Sequence, residues 1–196
     1  MHPDRRFRVD DRAALLATLA GQPFCTLSTI LDGRPAVAHA PAVIRGEGAA
    51  LDFHLSRANV LADLADGTPA VLTALAGDAY VSPDFYVSED QVPTWNYRMV
   101  EAEGVLTRLT DAETVALLDD LSAQEEARLA PKRLWTRDKM TPGRFEAMVR
   151  GIVGFRLTVS RLDGVFKLSQ NKSAEDRAGV IEGLAGYPLA ALIPRA

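Results

Sequence analysis

Nine residues, Leu51 to Asn59, constrain this chain more than any other stretch. Leu51, Phe53 and Leu55 alternate with Asp52, His54 and Ser56, the two-residue period of a strand with one buried face. The polar face leads directly to Arg57. Val60 to Ala65 then has helical spacing, with Asn59 placed as N-cap and Gly67 as the closing residue. Free backbone N–H groups, the Ser56 hydroxyl and the planar fork of Arg57 match the oxygens and charge of a phosphate. The same residues also read as an exposed turn whose polar side chains only cap a helix.

The remaining composition narrows the class. A chain of 196 residues, 47% hydrophobic and 24% charged, has the make-up of a globular protein, and we expect one domain over 1–196. The net charge of −4 argues against a chain whose main partner is nucleic acid. One cysteine allows no intrachain disulfide, and three histidines with that cysteine supply no zinc-like spacing. No run approaches the length of a membrane span. The opening Met1 to Arg6 lacks the apolar segment of a signal peptide, so the expected location is the cytoplasm.

In chain order, Asp10 or Asp11 caps a helix through Ala20, with Leu15, Leu16 and Leu19 as its apolar stripe and Gly21 as its stop. Residues 24–30 and 35–44 read as strands joined at Asp32-Gly33, a pair suited to a hairpin turn needing positive φ. On the second strand Val37, His39, Pro41 and Val43 share a face, which places His39 among apolar neighbours as a core histidine. Ala70 to Leu75 and Asp78 to Val81 are two further strands, followed by a break at Ser82-Pro83-Asp84 and an acidic loop from Val87 to Pro93. Thr94 to Val100 resumes the alternation. Trp95, Tyr97 and Met99 lie on one face of it, as core or as the wall of an interface or planar ligand.

Thr110 to Glu113 is a capping box opening a helix to about Leu129, with Leu117, Leu118 and Leu121 inward. Pro131 to Lys139 is the one basic stretch, which could touch DNA phosphates but reads first as a solvated connection. Thr141-Pro142 starts another helix ending at Gly151, before a strand from Ile152 to Val159. Asp163-Gly164 is expected to turn the chain into Val165 to Lys172, and Ser173 with Asp176 caps a last helix through about Leu184. Lys167, Gln170, Asn171 and Lys172 precede that helix and form a second polar cluster. Two anion sites, or two halves of one, are the expectation.

Several separated segments carry a resemblance. Gly151 to Phe155, Phe166 to Ser173 with Asp176-Arg177 and Gly179 to Ile181, Tyr80 to Pro83, Val92 to Tyr97, Arg8 to Asp11, and Ser56 to Asn59 together resemble the PaiB-type FMN-binding negative transcriptional regulators. That family resembles the split-barrel flavoproteins related to pyridoxamine-phosphate oxidase. The implied fold is α+β, mainly β: an FMN-binding split β-barrel of six antiparallel Greek-key strands with peripheral helices. A homodimer with FMN at its interface is implied as well. Carried over residue by residue, Ser56 and Arg57 match the phosphate-binding pair, with Asn59 beside them and Phe53 and His54 on the strand beneath the cofactor. Ala36, Val37, Ala38 and His39 would offer backbone groups to the flavin ring. Trp95, Asn96, Lys167, Gln170 and Asn171 are candidate contacts from the rim or the second subunit. The family's threonine-histidine-leucine-proline is Ala38-His39-Ala40-Pro41 here, which leaves a roomier site.

Three functions follow from the resemblance: a regulator or sensor that binds FMN, an FMN-dependent oxidoreductase, or a haem-binding split barrel with His39 or His54 as axial ligand. The chain has no helix-turn-helix signature with a basic reading helix, which argues against tight direct DNA binding. No acid or base stands out for catalysis, although a flavin supplies the hard chemistry itself.

Overall fold

In the computed structural model, residues 2–195 are described. The element order is β1 (Arg8–Val9), α1 (Arg12–Gly21), β2 (Phe24–Leu31), β3 (Arg34–Arg45), β4 (Ala50–Ser56), β5 (Pro69–Val81), β6 (Thr94–Arg108), α2 (Asp111–Ala127), α3 (Arg144–Val149), β7 (Ile152–Lys167) and α4 (Ala174–Gly183), with short 3-10 turns between some of them. The strand order is β1-β7-β4-β3-β2-β5-β6, and β6 pairs in addition with β7. Six strands therefore form a closed circuit of pairings, and β1 is a two-residue addition on β7. Closure removes the unpaired edges that an open sheet would leave.

The chain makes two compact units: one of residues 23–73 and 102–161, the other of 1–22, 74–101 and 162–196. In the first, Leu27, Leu51, Phe53, Leu72, Leu106 and Leu157 are sealed from solvent. The Phe53 and Phe155 rings stack there at 5.7 Å. At one end, β2 and β3 turn through Asp32 (φ 50°) and Gly33 (φ 74°), the double positive φ of the tight hairpin expected from sequence. In the second unit, Val81, Tyr86, Leu168, Val180, Leu184 and Ile193 form a separate cluster. There Asp11 caps α1 by accepting from the Ala13 and Ala14 N–H groups, as its position predicts.

Several expectations are corrected. Residues 57–64 form successive turns and no helix: the Asn59 carbonyl accepts from Ala62 N and its Oδ1 from Leu61 N, so the cap serves a turn. His39 is no core residue. Ala38, Ala40 and Ala42 face inward on β3, while Val37 and His39 face out, because the small side chains take the crowded interior. Asp163-Gly164 is not a turn either, since β7 runs unbroken from Ile152 to Lys167. A Cβ on Gly164 would lie 2.1 Å from Leu15 Cδ2, so this glycine serves the close approach of α1. The two strands expected around Gly77 are one strand, β5, which passes the glycine at φ 101°. The helix expected from Thr141 begins only at Arg144 and spans six residues.

Candidate functional site

The site is built where β4 runs out into the turns after Ser56. Arg57 anchors itself by its backbone N–H to Gly151 O at 2.9 Å and by Nε to Arg150 O at 2.8 Å. Both Nη groups of Arg57 lack a protein partner among the described residues, so the bidentate end of the fork stays available. It lines a cleft of about 380 Å³ together with Arg137, Arg150, Phe145, Asp111 and Glu146. Ser56 Oγ accepts from Ala58 N at 3.2 Å and shapes the turn that presents Arg57. A phosphate fits this arrangement: two free N–H donors of one guanidinium, further arginines on the same cleft and an open approach.

Beneath the cleft, β4 is held rigidly. The sequence period places Asp52 on a solvent-facing side, but it is buried because α2 covers that face of the strand. Its carboxylate accepts from Arg156 Nε at 2.7 Å, Arg156 Nη2 at 2.9 Å and Arg45 Nε at 2.9 Å. Arg45 continues to Asp120 and Arg156 to Glu113, so two residues of α2 are tied to strands β3, β4 and β7. His54 faces the same side. Burial pushes its imidazole below the ordinary value of 6.5, towards the neutral form.

Each remaining candidate has a definite place. Phe53 is fully buried and supports β4 from the core side. Ala36 and Ala38 belong to the inward row of β3, while Val37 and His39 lie on its outer face. There His39 Nδ1 and Thr26 Oγ1 are 3.1 Å apart and Phe24 stacks on the imidazole at 6.3 Å. With Phe24, Ile30 and Val37 all more than half exposed, this outer face is unusually apolar.

In the other unit, Trp95 is exposed and meets Tyr80 edge-on at 6.1 Å, a partner the sequence did not single out. Asn96 is buried with its Nδ2 on Ser169 Oγ at 2.9 Å. Lys167 Nζ donates to Thr94 Oγ1 and to Trp95 O, and burial followed by the nearby Lys172 charge pulls its pKa down. The Gln170 side chain closes its own turn, accepting from Leu168 N and donating to Phe166 O and Arg6 O. Asn171 alone of this cluster is exposed. The polar atoms of Asn96, Lys167 and Gln170 thus meet protein partners.

Sequence reasoning missed Arg137, Phe145 and Arg150, which flank Arg57 from a segment read only as a basic connection and a helix. The available signal was the run of large apolar residues Trp135, Met140, Phe145 and Met148 inside that segment, too many for a purely solvated link.

The closed circuit of six strands is the fold of the split-barrel flavoproteins. The chain belongs to the family described as "Putative FMN-binding domain", whose model matches residues 1–161. It is 29% identical over 187 residues to the protease synthase and sporulation protein PAI 2 of Bacillus subtilis, covering 94% of this chain and 89% of that one. Its fold is similar to that of the FAD and haem binding protein of Mycobacterium smegmatis, with TM-score 0.62, 21% identity and coverage of 87% and 78% of the two chains. It is also similar to the flavocytochrome Anf3 of Azotobacter vinelandii, with TM-score 0.63, 16% identity and coverage of 85% and 72%. FMN is accordingly the cofactor of this chain, and no helix among the described residues is long and apolar enough to cross a membrane.

Proposed function

We propose that the chain is an FMN-binding sensor of the PaiB type that regulates transcription without tight DNA binding of its own, and that works in the cytoplasm as a homodimer. The observation that carries the reading is the Arg57 fork, anchored by one nitrogen and open at the other two. Arg57 takes the FMN phosphate, and the outer face of β3 at Val37 and His39 lies under the flavin ring. The regulatory role is supported by the likeness to the protease synthase and sporulation protein of Bacillus subtilis. Independence from DNA is supported by local charge pairing. Of the cations in the basic stretch, Lys132 meets Glu126, Arg137 meets Asp119 at 3.3 Å, and Lys139 donates to Leu134 O at 2.5 Å. The net charge of −4 further weakens the counterion release that would drive binding to a duplex.

Flavin fluorescence quenching tests the phosphate contact. A charge-assisted hydrogen bond is worth about 1.5–3 kcal/mol, so Arg57→Ala should weaken FMN about tenfold to a hundredfold, and Arg57→Lys should recover only part because an ammonium cannot reproduce the fork. Unchanged affinity in the alanine variant would remove Arg57 from the site. An absorbance spectrum of the purified protein showing haem and no flavin would replace the cofactor altogether.

A further inference from the structure

Beside the arginine cleft lies a second, half-open chamber of about 310 Å³, lined by Leu118 of α2, Ile152 of β7 and the segment bearing Trp135, Met140, Phe145 and Met148. Its lining is dominated by these apolar side chains, and His54 stands on its wall. Charge gives the chamber little net field. Arg137, which lines both spaces, is paired with Asp119 and lies over the Phe145 ring at 5.0 Å.

His54 determines which ligand the chamber prefers. Its Nδ1 is sealed from solvent and has no hydrogen-bond partner. A buried N–H without an acceptor is rarer in proteins than a buried lone pair without a donor, so the proton of the neutral ring belongs on Nε2. His54 lines the chamber and its Nδ1 is sealed, so Nε2 is the ring nitrogen with access to that space, and no protein group among the described residues accepts from it. A greasy space with one uncharged donor on its wall calls for a compact apolar molecule with one acceptor oxygen.

We propose that this chamber binds a small neutral carbonyl compound of the aryl ketone or quinone kind, its ring among Trp135, Met140, Phe145 and Met148 and its oxygen accepting from His54 Nε2. The site stands whether or not Arg57 holds FMN. A carboxylate suits it less well, because Arg137 already has Asp119 for a counter-charge.

The test is calorimetric titration of the purified chain with acetophenone, ethylbenzene and benzoate. One neutral hydrogen bond is worth about threefold to tenfold in affinity, so acetophenone should bind tighter than ethylbenzene by that factor and also tighter than benzoate. His54→Phe keeps a ring on the wall but removes the donor, and should bring acetophenone down to the level of ethylbenzene. Met148→Trp, at a residue more than half exposed, should fill the chamber and weaken both aryl probes. Should His54→Phe fail to fold, the comparison of probes on the unaltered chain decides alone. Equal affinity for acetophenone and ethylbenzene, stronger binding of benzoate, or binding untouched by Met148→Trp would each overturn the assignment.

Discussion

His54 shows how one side chain carries two consequences. Its imidazole is disfavoured in the charged form by burial, so the folded-state pKa lies below the unfolded value of 6.5. Between those two values the unfolded chain binds more protons than the folded one, and stability therefore rises with pH there. The contribution is fully present above about pH 6.5 and is lost as the pH falls below it. Thermal melts at pH 7.5 and pH 5.5 should show a larger drop in Tm for the wild type than for His54→Phe, which cannot titrate. An equal drop in both would mean that His54 is as well solvated in the fold as outside it. Asp52 was hidden from sequence reasoning for a related reason. Alternation along Leu51 to Ser56 identifies the strand correctly but cannot reveal that α2 covers the polar side as well, with Arg45 and Arg156 compensating the buried carboxylate.

At the scale of elements, what the sequence made legible is what local chemistry decides. The Thr110 capping box closes as predicted, with Glu113 N donating to Thr110 Oγ1 and Thr110 N to Glu113 Oε2, and the Asp32-Gly33 hairpin forms. One misreading falls where a glycine answers to a distant neighbour. Asp163-Gly164 looks like a turn because the same residue type that permits a turn also permits contact without a Cβ. Gly104 in β6 makes the same point more severely: a Cβ there would lie 1.9 Å from Thr158 O and 2.8 Å from its carbonyl carbon, both backbone atoms of β7. No rotamer relieves that clash. Gly104→Ala should destabilise the chain by about 2–3 kcal/mol or more, at the upper end of overpacking costs, whereas alanine at Gly21, with nothing within 4 Å, should stay within about 1 kcal/mol. Denaturant midpoints of the two variants check the contrast, and comparable midpoints would show that β6 and β7 are not in that contact.

For the molecule as a whole, the outer face of β2 and β3 is the feature that a lone chain leaves unexplained. Phe24, Ile30 and Val37 are 59%, 59% and 55% exposed, beside His39 and within one hairpin. Scattered apolar residues on a surface need no explanation, but a contiguous group marks an interaction site. The resemblance supplied the dimer as an expectation and placed its wall at Trp95, Asn96 and Lys167 to Asn171, whereas the exposed hairpin face was hidden by the assumption that His39 points inward. On the reading proposed above, the same face lies under the flavin ring, and a second copy of the chain covers both. A planar cofactor needs about 70–90% of its surface buried, and one hairpin face supplies only one side. Binding and association are then linked, since a ligand that contacts both chains stabilises the dimer by about 2.7 kcal/mol at a hundred times its dissociation constant. Val37→Glu places a charge at the centre of the exposed face, where it costs the monomer little. We expect it to shift sedimentation from dimer to monomer at micromolar concentration and to weaken FMN at least about tenfold, with far-ultraviolet circular dichroism unchanged. FMN added to the wild type should move the dissociation of the dimer to lower protein concentration. A Val37→Glu monomer that keeps full FMN affinity would show that one chain completes the pocket, and the hairpin face would then need a different partner.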